Sequence, residues 1–420
     1  MHSNLSLQAG SRSPKVAVLD TIHGAKVIAQ RMADCGIEAE ALEVYHSAPS
    51  IANFDIVAAP VHLPPSNPVL IEAKKLHKKI ITHHQAVGDL LKESLKTDLE
   101  IAEITGTHSK TTTALVLAIM LSYQKKVVSH TTRGIEVWMD GDSKVLQTGL
   151  SITPGNVIPA VDAALAQEAD TLICEISLGG TGLADFGVLS SFSGDYLIAK
   201  GCKWATTAKL QMLSLAEPGT VLIANTDTKI SADISFGPKG CIWAEPDRIR
   251  FEKEEAPLFL GEDLDFASYQ TAISAGAAAA FIAGMEPEDI AQALHDFDGL
   301  SGRMKIVRKD GLTIYDNSNS GLKVRDVNAA LDKAQGERLC VVVGEESETV
   351  CEGMDIPSLV ELLRRRRQEI QMLILVGQRL EPWAKDLEAK TALNLAAGIE
   401  LARFGGADLD RLLLCVKCFR

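Results

Sequence analysis

The run Glu103-Ile104-Thr105-Gly106-Thr107-His108-Ser109-Lys110-Thr111-Thr112-Thr113 constrains this chain more than any other stretch. Before it, Leu99 to Ile104 is apolar except at Glu100 and Glu103 and reads as a strand. After it, an apolar-periodic helix runs from Lys110 to about Gln124. A strand that turns through small polar residues into a helix aims backbone N–H groups and the positive helix end at one spot, which makes an anion cradle. Lys110 adds a point charge, and the hydroxyl of Thr111 suits Mg²⁺. The turn therefore reads as a nucleotide phosphate loop lined by Gly106, Thr107, His108, Ser109, Lys110, Thr111 and Thr112. An ordinary strand-to-helix turn is the competing reading, and the regular elements on both sides argue against it.

The loop departs from the common phosphate-binding pattern. Ser109 stands where a glycine usually precedes the lysine, and no glycine lies four residues before it. Gly106-Thr107-x-x-Lys110-Thr111-Thr112 instead resembles the shorter loop of the Mur ligase family, which includes the muramoyl-peptide synthetases and folylpolyglutamate synthetase. That resemblance implies an α/β fold in three domains: an N-terminal Rossmann-like substrate-binding domain, a central phosphate-loop ATPase domain and a C-terminal Rossmann-like domain. It also implies ATP and Mg²⁺ as the working cofactors.

Length and charge agree with such a plan. A chain of 420 residues is too long for one hydrophobic core and predicts two or three domains. A net charge of −13 argues against a nucleic-acid partner, which needs a basic stripe. The longest apolar stretch, Ala272 to Met285, falls short of the roughly 20 residues a bilayer crossing needs, so no membrane partner is expected. Met1 to Pro14 is polar and lacks the apolar core of a signal peptide. The scattered cysteines then predict free thiols in a reducing cytoplasm. Cys415-x-x-Cys418 has a metal or redox spacing, but with no second pair it reads as packing.

Three segments follow along the chain. Residues 1–95 form the first, with strands at Lys15–Leu19, Ile56–Ala59 and Ile80–Thr82 and helices at Ala25–Cys35 and Val69–Leu76. This alternation predicts a small parallel α/β domain, and Pro60 to Pro68 falls at a strand edge where such sheets bind ligands. Residues 96–300 hold the phosphate loop, strands at Thr171–Cys174, Tyr196–Ala199 and Val221–Ala224, and a helix at Ala205–Leu215. A hairpin is expected over Ile249–Leu260, then helices over about Ala267–Met285 and Glu288–Asp296. Gly299 to Gly302 reads as a hinge. Residues 301–420 carry strands at Met304–Val307, Thr313–Tyr315, Leu339–Val343, Met372–Val376 and Leu412–Val416.

Further residues carry chemistry. Glu175 ends an apolar strand and is followed by Ser177-Leu178-Gly179-Gly180, a sound position for a magnesium ligand. The Mur resemblance implies the same role for Glu175. It also matches Ala208-Lys209-Leu210 and the strand ending Asn225-Thr226-Asp227. There it implies that Asn225 serves the nucleotide and that Lys209 is carbamylated to hold a second magnesium. The family's metal-binding histidine is missing, because Asp195 to Lys200 occupies its region. Gly302-Arg303-Met304 resembles the junction whose arginine reaches the phosphates, and Ile314-Tyr315-Asp316 the strand whose aspartate accepts from the ribose. Catalysis is accordingly expected from Lys110, Glu175 and Lys209, and metal binding from Thr111, Glu175 and Lys209.

The Mur resemblance implies that a substrate carboxylate attacks the terminal phosphate of ATP, giving an acyl phosphate that a nucleophile then opens. The ending Cys415-Val416-Lys417-Cys418-Phe419-Arg420, with His108-Ser109 and His130-Thr131-Thr132-Arg133-Gly134, resembles a subgroup of these ligases acting on a nickel tetrapyrrole carboxylate. Such a small-molecule substrate carries several carboxylates and needs cationic or imidazole contacts. His62, His83, His84, His130, Arg133 and Lys417 are the candidates, with His83-His84 foremost because they follow a buried strand. An amide ligase joining an amino acid to a carboxylated acceptor, and a non-catalytic ATP-binding regulator, are the competing functions.

Overall fold

A computed structural model describes residues 14–92, 95, 98–309, 311–346, 353–404 and 408–418. The polar start up to position 13 and the terminal Phe419 and Arg420 lie outside the described residues, as do positions 96 and 97 at the expected first boundary. The chain forms two compact units, Met1–Leu258 with Thr271–Leu294, and Phe259–Gln270 with His295–Arg420. The second begins a few residues before the expected Gly299–Gly302 junction and borrows a short earlier segment.

The first unit contains two main sheets. One is four-stranded and wholly parallel, in the order Ala39–Leu42, Val16–Leu19, Ile56–Ala59, Lys79–Thr82. The other has eight strands in the order Ile234–Phe236, Val221–Asn225, Phe186–Leu189, Glu100–Thr105, Thr171–Glu175, Val127–Thr131, Gly134–Met139, Asp142–Gln147. Its first six strands are parallel and its last two antiparallel. Parallel strands carry helices on both faces, so they read as unbroken apolar runs; Val16–Leu19 and Thr171–Glu175 are buried at every position. Each fully buried Val, Leu or Ile contributes about 1.5–3 kcal/mol.

The parallel core follows the expected strands, while local details differ. The expected hairpin over Ile249–Leu260 is a three-stranded antiparallel sheet of Trp243–Glu245, Arg248–Arg250 and Glu255–Pro257. The expected helix over Ala205–Leu215 is two short ones, Ala205–Lys209 and Gln211–Leu215, meeting at Leu210. Tyr196–Ala199 shrinks to a two-residue strand, Leu197–Ile198, paired with Lys203–Trp204. The alanine-rich helix Phe266–Ile282 packs closely where Gly276 meets Val116; a Cβ there would stand 3.1 Å from the valine Cγ1. Among the described residues, no helix is long and apolar enough to cross a membrane.

The second unit is built on a six-stranded sheet in the order Lys305–Lys309, Leu312–Asp316, Arg411–Lys417, Leu339–Glu345, Met372–Val376, Lys390–Ala392. Only its first pair is antiparallel. Cys415 and Cys418 are both buried free thiols, and they sit in different apolar clusters. They therefore fill separate parts of the core instead of converging on a metal. Burial raises the Cys415 thiol far above its usual range.

Candidate active site

The Glu100–Thr105 strand runs directly into Gly106, and Lys110 is the first residue of the Lys110–Ser122 helix. Gly106 adopts a φ of +152°, and a Cβ there would lie 2.1 Å from Ser190 Oγ and 3.0 Å from the Ser191 backbone. Ser109, at the helix start, is also turned to a positive φ, +61°. The turn is braced by the neighbouring strand's end. Ser190 Oγ donates to the His108 carbonyl at 2.5 Å, and Thr107 donates its amide to the Ser191 carbonyl at 2.8 Å and its hydroxyl to the Ser193 carbonyl at 2.6 Å. Asn225 Nδ2 in turn holds the Ser190 carbonyl at 3.0 Å, and Ser191 Oγ donates to Asp227. Asn225 thus reaches the loop through the Ser190–Ser193 segment.

Glu175 closes the adjacent strand and is buried. One carboxylate oxygen accepts from the Thr111 hydroxyl at 3.0 Å and the other from the Thr132 amide at 3.3 Å. The structure therefore brings Glu175, Thr111 and the loop together at the C-terminal ends of parallel strands. Hard oxygen donors beside an open backbone turn fit Mg²⁺ and a triphosphate. Mg²⁺ bound there would neutralise charge on a transferring phosphoryl group.

Lys209 ends its short helix 99% buried, its ammonium 5.9 Å from the centre of the Tyr196 ring. His84 lies near enough to feel that charge. Its Nε2 bonds the Ser177 carbonyl at 2.8 Å, just past Glu175, which leaves Nδ1 as a buried lone pair without a partner among the described residues. Burial pushes His84 protonation down to about 4, the Ser177 carbonyl opposing and Lys209 assisting. His83 is pushed to about 3 by burial, with the Asp20 charge opposing.

The other candidates are spread. His130 is inside the Val127–Thr131 strand, level with Cys174, and burial holds its protonation at about 4. Arg133 pairs with the buried Glu136 at 2.7 Å. His62 faces Asp20 and Tyr45 beside the four-stranded sheet. In the second unit, Asp316 accepts the Gly302 amide at 3.0 Å and the Ser318 amide at 3.2 Å, which seats the Arg303 turn against it. Gly299, at φ +98°, is pinned there too, since the Leu300 amide donates to Tyr269 at 2.7 Å. Lys417 is buried in its strand and approaches the Leu322 carbonyl at 3.5 Å.

Glu103 escaped the sequence reading, which saw only an interruption in a strand. It is fully buried, and its carboxylate accepts the Thr181 amide at 2.9 Å and the Thr181 hydroxyl. It thereby ties the loop after Glu175 to the phosphate-loop strand. Burial raises its protonation, against those hydrogen bonds. The signal was present as an acid inside an apolar stretch of a strand, with Gly179-Gly180 just past the Thr171–Glu175 strand that pairs with it. A Cβ on Gly180 would stand 2.6 Å from that carboxylate.

Comparison with known proteins separates the fold from the family. Residues 306–418 match the family described as Coenzyme F430 synthetase CfbE, C-terminal domain. Over 97% of its length the chain is 34% identical to the Coenzyme F(430) synthetase of Methanosarcina acetivorans, covering 99% of that protein. The chain belongs to the coenzyme F(430) synthetase family. The chain is a ligase, and its fold is that of the Mur ligases. MurF from Acinetobacter baumannii superposes with a TM-score of 0.56 at 15% identity, covering 93% of this chain and 95% of that one. A bifunctional folylpolyglutamate synthase/dihydrofolate synthase with Mn, AMPPNP and L-glutamate bound superposes at 0.59, with 14% identity over 85% of this chain and 97% of that one.

Proposed function

We propose that this coenzyme F(430) synthetase family member uses ATP to activate a propionate carboxylate of a nickel tetrapyrrole and then closes a ring on it. In this reading seco-F430 acid and ATP give coenzyme F430, ADP and phosphate. The substrate carboxylate oxygen attacks the terminal phosphorus, and the bond to the ADP oxygen breaks. An internal nucleophile then displaces phosphate from the acyl carbon. The Thr111–Glu175 pair beneath the Gly106–Lys110 turn is the observation that carries the reading.

Backbone amides of the turn and Lys110 receive the phosphates, lowering the charge cost of the transfer. Thr111 and Glu175 hold magnesium. Lys209, an ammonium buried at some cost unless it is modified, is the site for carbamylation that turns it into an anion. Arg303 serves the phosphates and Asp316 the ribose. The working division into residues 1–95, 96–300 and 301–420 belongs to the same reading, as do His62, His83, His84, His130, Arg133 and Lys417 as candidates for the substrate's acidic groups.

The test compares ADP release with the seco-tetrapyrrole acid against release with amino acids plus a carboxylated acceptor. The reading expects release with the tetrapyrrole alone and a product lighter by one water in mass spectrometry. Release only with the amino-acid pairs would make the protein an amide ligase. ATP binding without turnover on either set would make it a regulator.

A further inference from the structure

Beside the four-stranded sheet lies a cluster that includes His62, one of the substrate candidates above, with Asp20, His23 and Tyr45, which that reading leaves unassigned. Asp20 directly follows the Val16–Leu19 strand, and His62 stands three residues beyond the Ile56–Ala59 strand. Both therefore fall at the C-terminal edge of a parallel sheet, the edge where such sheets bind ligands. We propose that Asp20, His23 and His62 form a binding site for one divalent first-row transition-metal ion.

The argument begins with the carboxylate. Asp20 is completely buried and held at a φ of +79°, unusual for a residue with a side chain. One oxygen, Oδ1, accepts the amides of Ile22 at 3.0 Å and His23 at 3.2 Å, which fixes the group in place. The other, Oδ2, is met by His23 Nδ1 at 2.7 Å, the Tyr45 hydroxyl at 2.8 Å and His62 Nε2 at 3.1 Å. A carboxylate oxygen offers two lone pairs, so three polar groups crowd it, and the Tyr45 hydroxyl lies 3.3 Å from His62 Nε2 as well. A cation resolves the crowding by taking two imidazole lone pairs and the carboxylate charge together.

The donor set and spacing suit such an ion. Two imidazoles and a carboxylate are ligands for zinc, nickel, cobalt or iron, and poor ones for magnesium. Adjacent ligands of an ion with bonds of about 2.1 Å stand about 3.0 Å apart in an octahedral site and about 3.4 Å in a tetrahedral one, so the 2.7 and 3.1 Å found need to open by only a few tenths of an ångström. The three ligating atoms lie within 4.8 Å of one another. The imidazole rings are 4.7 Å apart, centre to centre, and nearly perpendicular, and each brings one ring nitrogen to the same oxygen. Tyr45 then acts as the orienting partner of the carboxylate, as outer hydrogen bonds do around metal ligands. The side chains of His23 and His62 are 20% and 29% exposed, which lets an ion enter from solvent.

The test titrates the chelator-stripped full-length protein with Co²⁺ in excess Mg²⁺, followed by visible absorption and calorimetry. The expected result is one Co²⁺ per chain with a nitrogen-ligand absorption band. His23→Ala and His62→Ala should each weaken binding at least about tenfold, and His295→Ala, at an exposed pair with Asp296, should not. His62 is partly exposed, so its variant is expected to keep the wild-type melting temperature. Wild-type protein that takes up no saturable equivalent of Co²⁺ overturns the proposal. So does a folded His62→Ala protein that binds Co²⁺ as tightly as wild type.

Discussion

Gly106→Ala is the sharpest probe of the phosphate loop. The added methyl would sit 2.1 Å from Ser190 Oγ, so the serine must rotate away and release the His108 carbonyl it holds at 2.5 Å. Losing that hydrogen bond costs about 0.5–1.5 kcal/mol. Forcing an alanine to a φ of +152° adds about 1–3 kcal/mol. The Ser191 backbone, 3.0 Å from the new Cβ, leaves little room for relief. The total is about 2–4 kcal/mol, and if half of it falls on the loop's nucleotide-ready shape, the Kd for MgATP rises about fivefold to thirtyfold. Calorimetry with MgATP and urea unfolding measure the two shares. Adding Ser190→Ala removes the nearest clash but not the backbone one, so the double variant should recover about 1 kcal/mol relative to additivity. Gly106→Ala protein with wild-type stability and affinity, or strictly additive variants, would refute the steric account.

Three further outcomes are expected. Lys110→Ala should abolish ADP formation while leaving the fold intact, because it removes the charge facing the phosphates; turnover at the wild-type rate would remove Lys110 from the mechanism. Asp316→Ala should raise the KM for ATP more than it lowers kcat, as loss of uniform binding does; steady-state kinetics showing a kcat loss at constant KM would contradict a ribose role. His83, His84 and His130 are held neutral by burial down to about pH 3, 4 and 4, whereas the unfolded chain protonates them near 6.5. The unfolded state thus binds more protons below pH 6.5, and stability should fall from there towards pH 4, by up to about 4 kcal/mol per pH unit for the three together. Urea unfolding that gave a constant stability between pH 7 and 5 would contradict this burial.

Much of the parallel architecture was legible in the sequence because parallel strands are apolar on both faces and short turns separate them. Thr171–Glu175 and Leu339–Glu345 were visible for this reason. The Val127–Gln147 meander was not. Its last strand, Asp142–Gln147, is exposed at every position and carries no buried-face alternation to betray it. Only its turns gave a sign, Arg133-Gly134 and Asp140-Gly141, both with glycines at positive φ. The break at Leu210 was hidden because two short helices share one apolar composition. Within the site, the loop and Glu175 were legible as a strand end and a helix start. The Asp20 cluster was not, since its members stand at positions 20, 23, 45 and 62 and meet only through the sheet's order. The brace from Ser190 to Asp227 was hidden likewise, being a contact between neighbouring strand ends.

That brace bears on the proposed phosphate loop, which has Gly106 as its sole glycine between Thr105 and Lys110. A glycine-rich loop must freeze many backbone states when its ligand arrives, and that lost freedom weakens binding. This turn has its shape imposed beforehand by the Ser190 hydroxyl on a neighbouring strand end and by the hydrogen bonds of Thr107 to the Ser191 and Ser193 carbonyls, so less entropy is surrendered if an anion lands there. Substitutions at Asp227 or Ser191, well outside the cradle, should therefore act mainly on how fast and how tightly the nucleotide is captured.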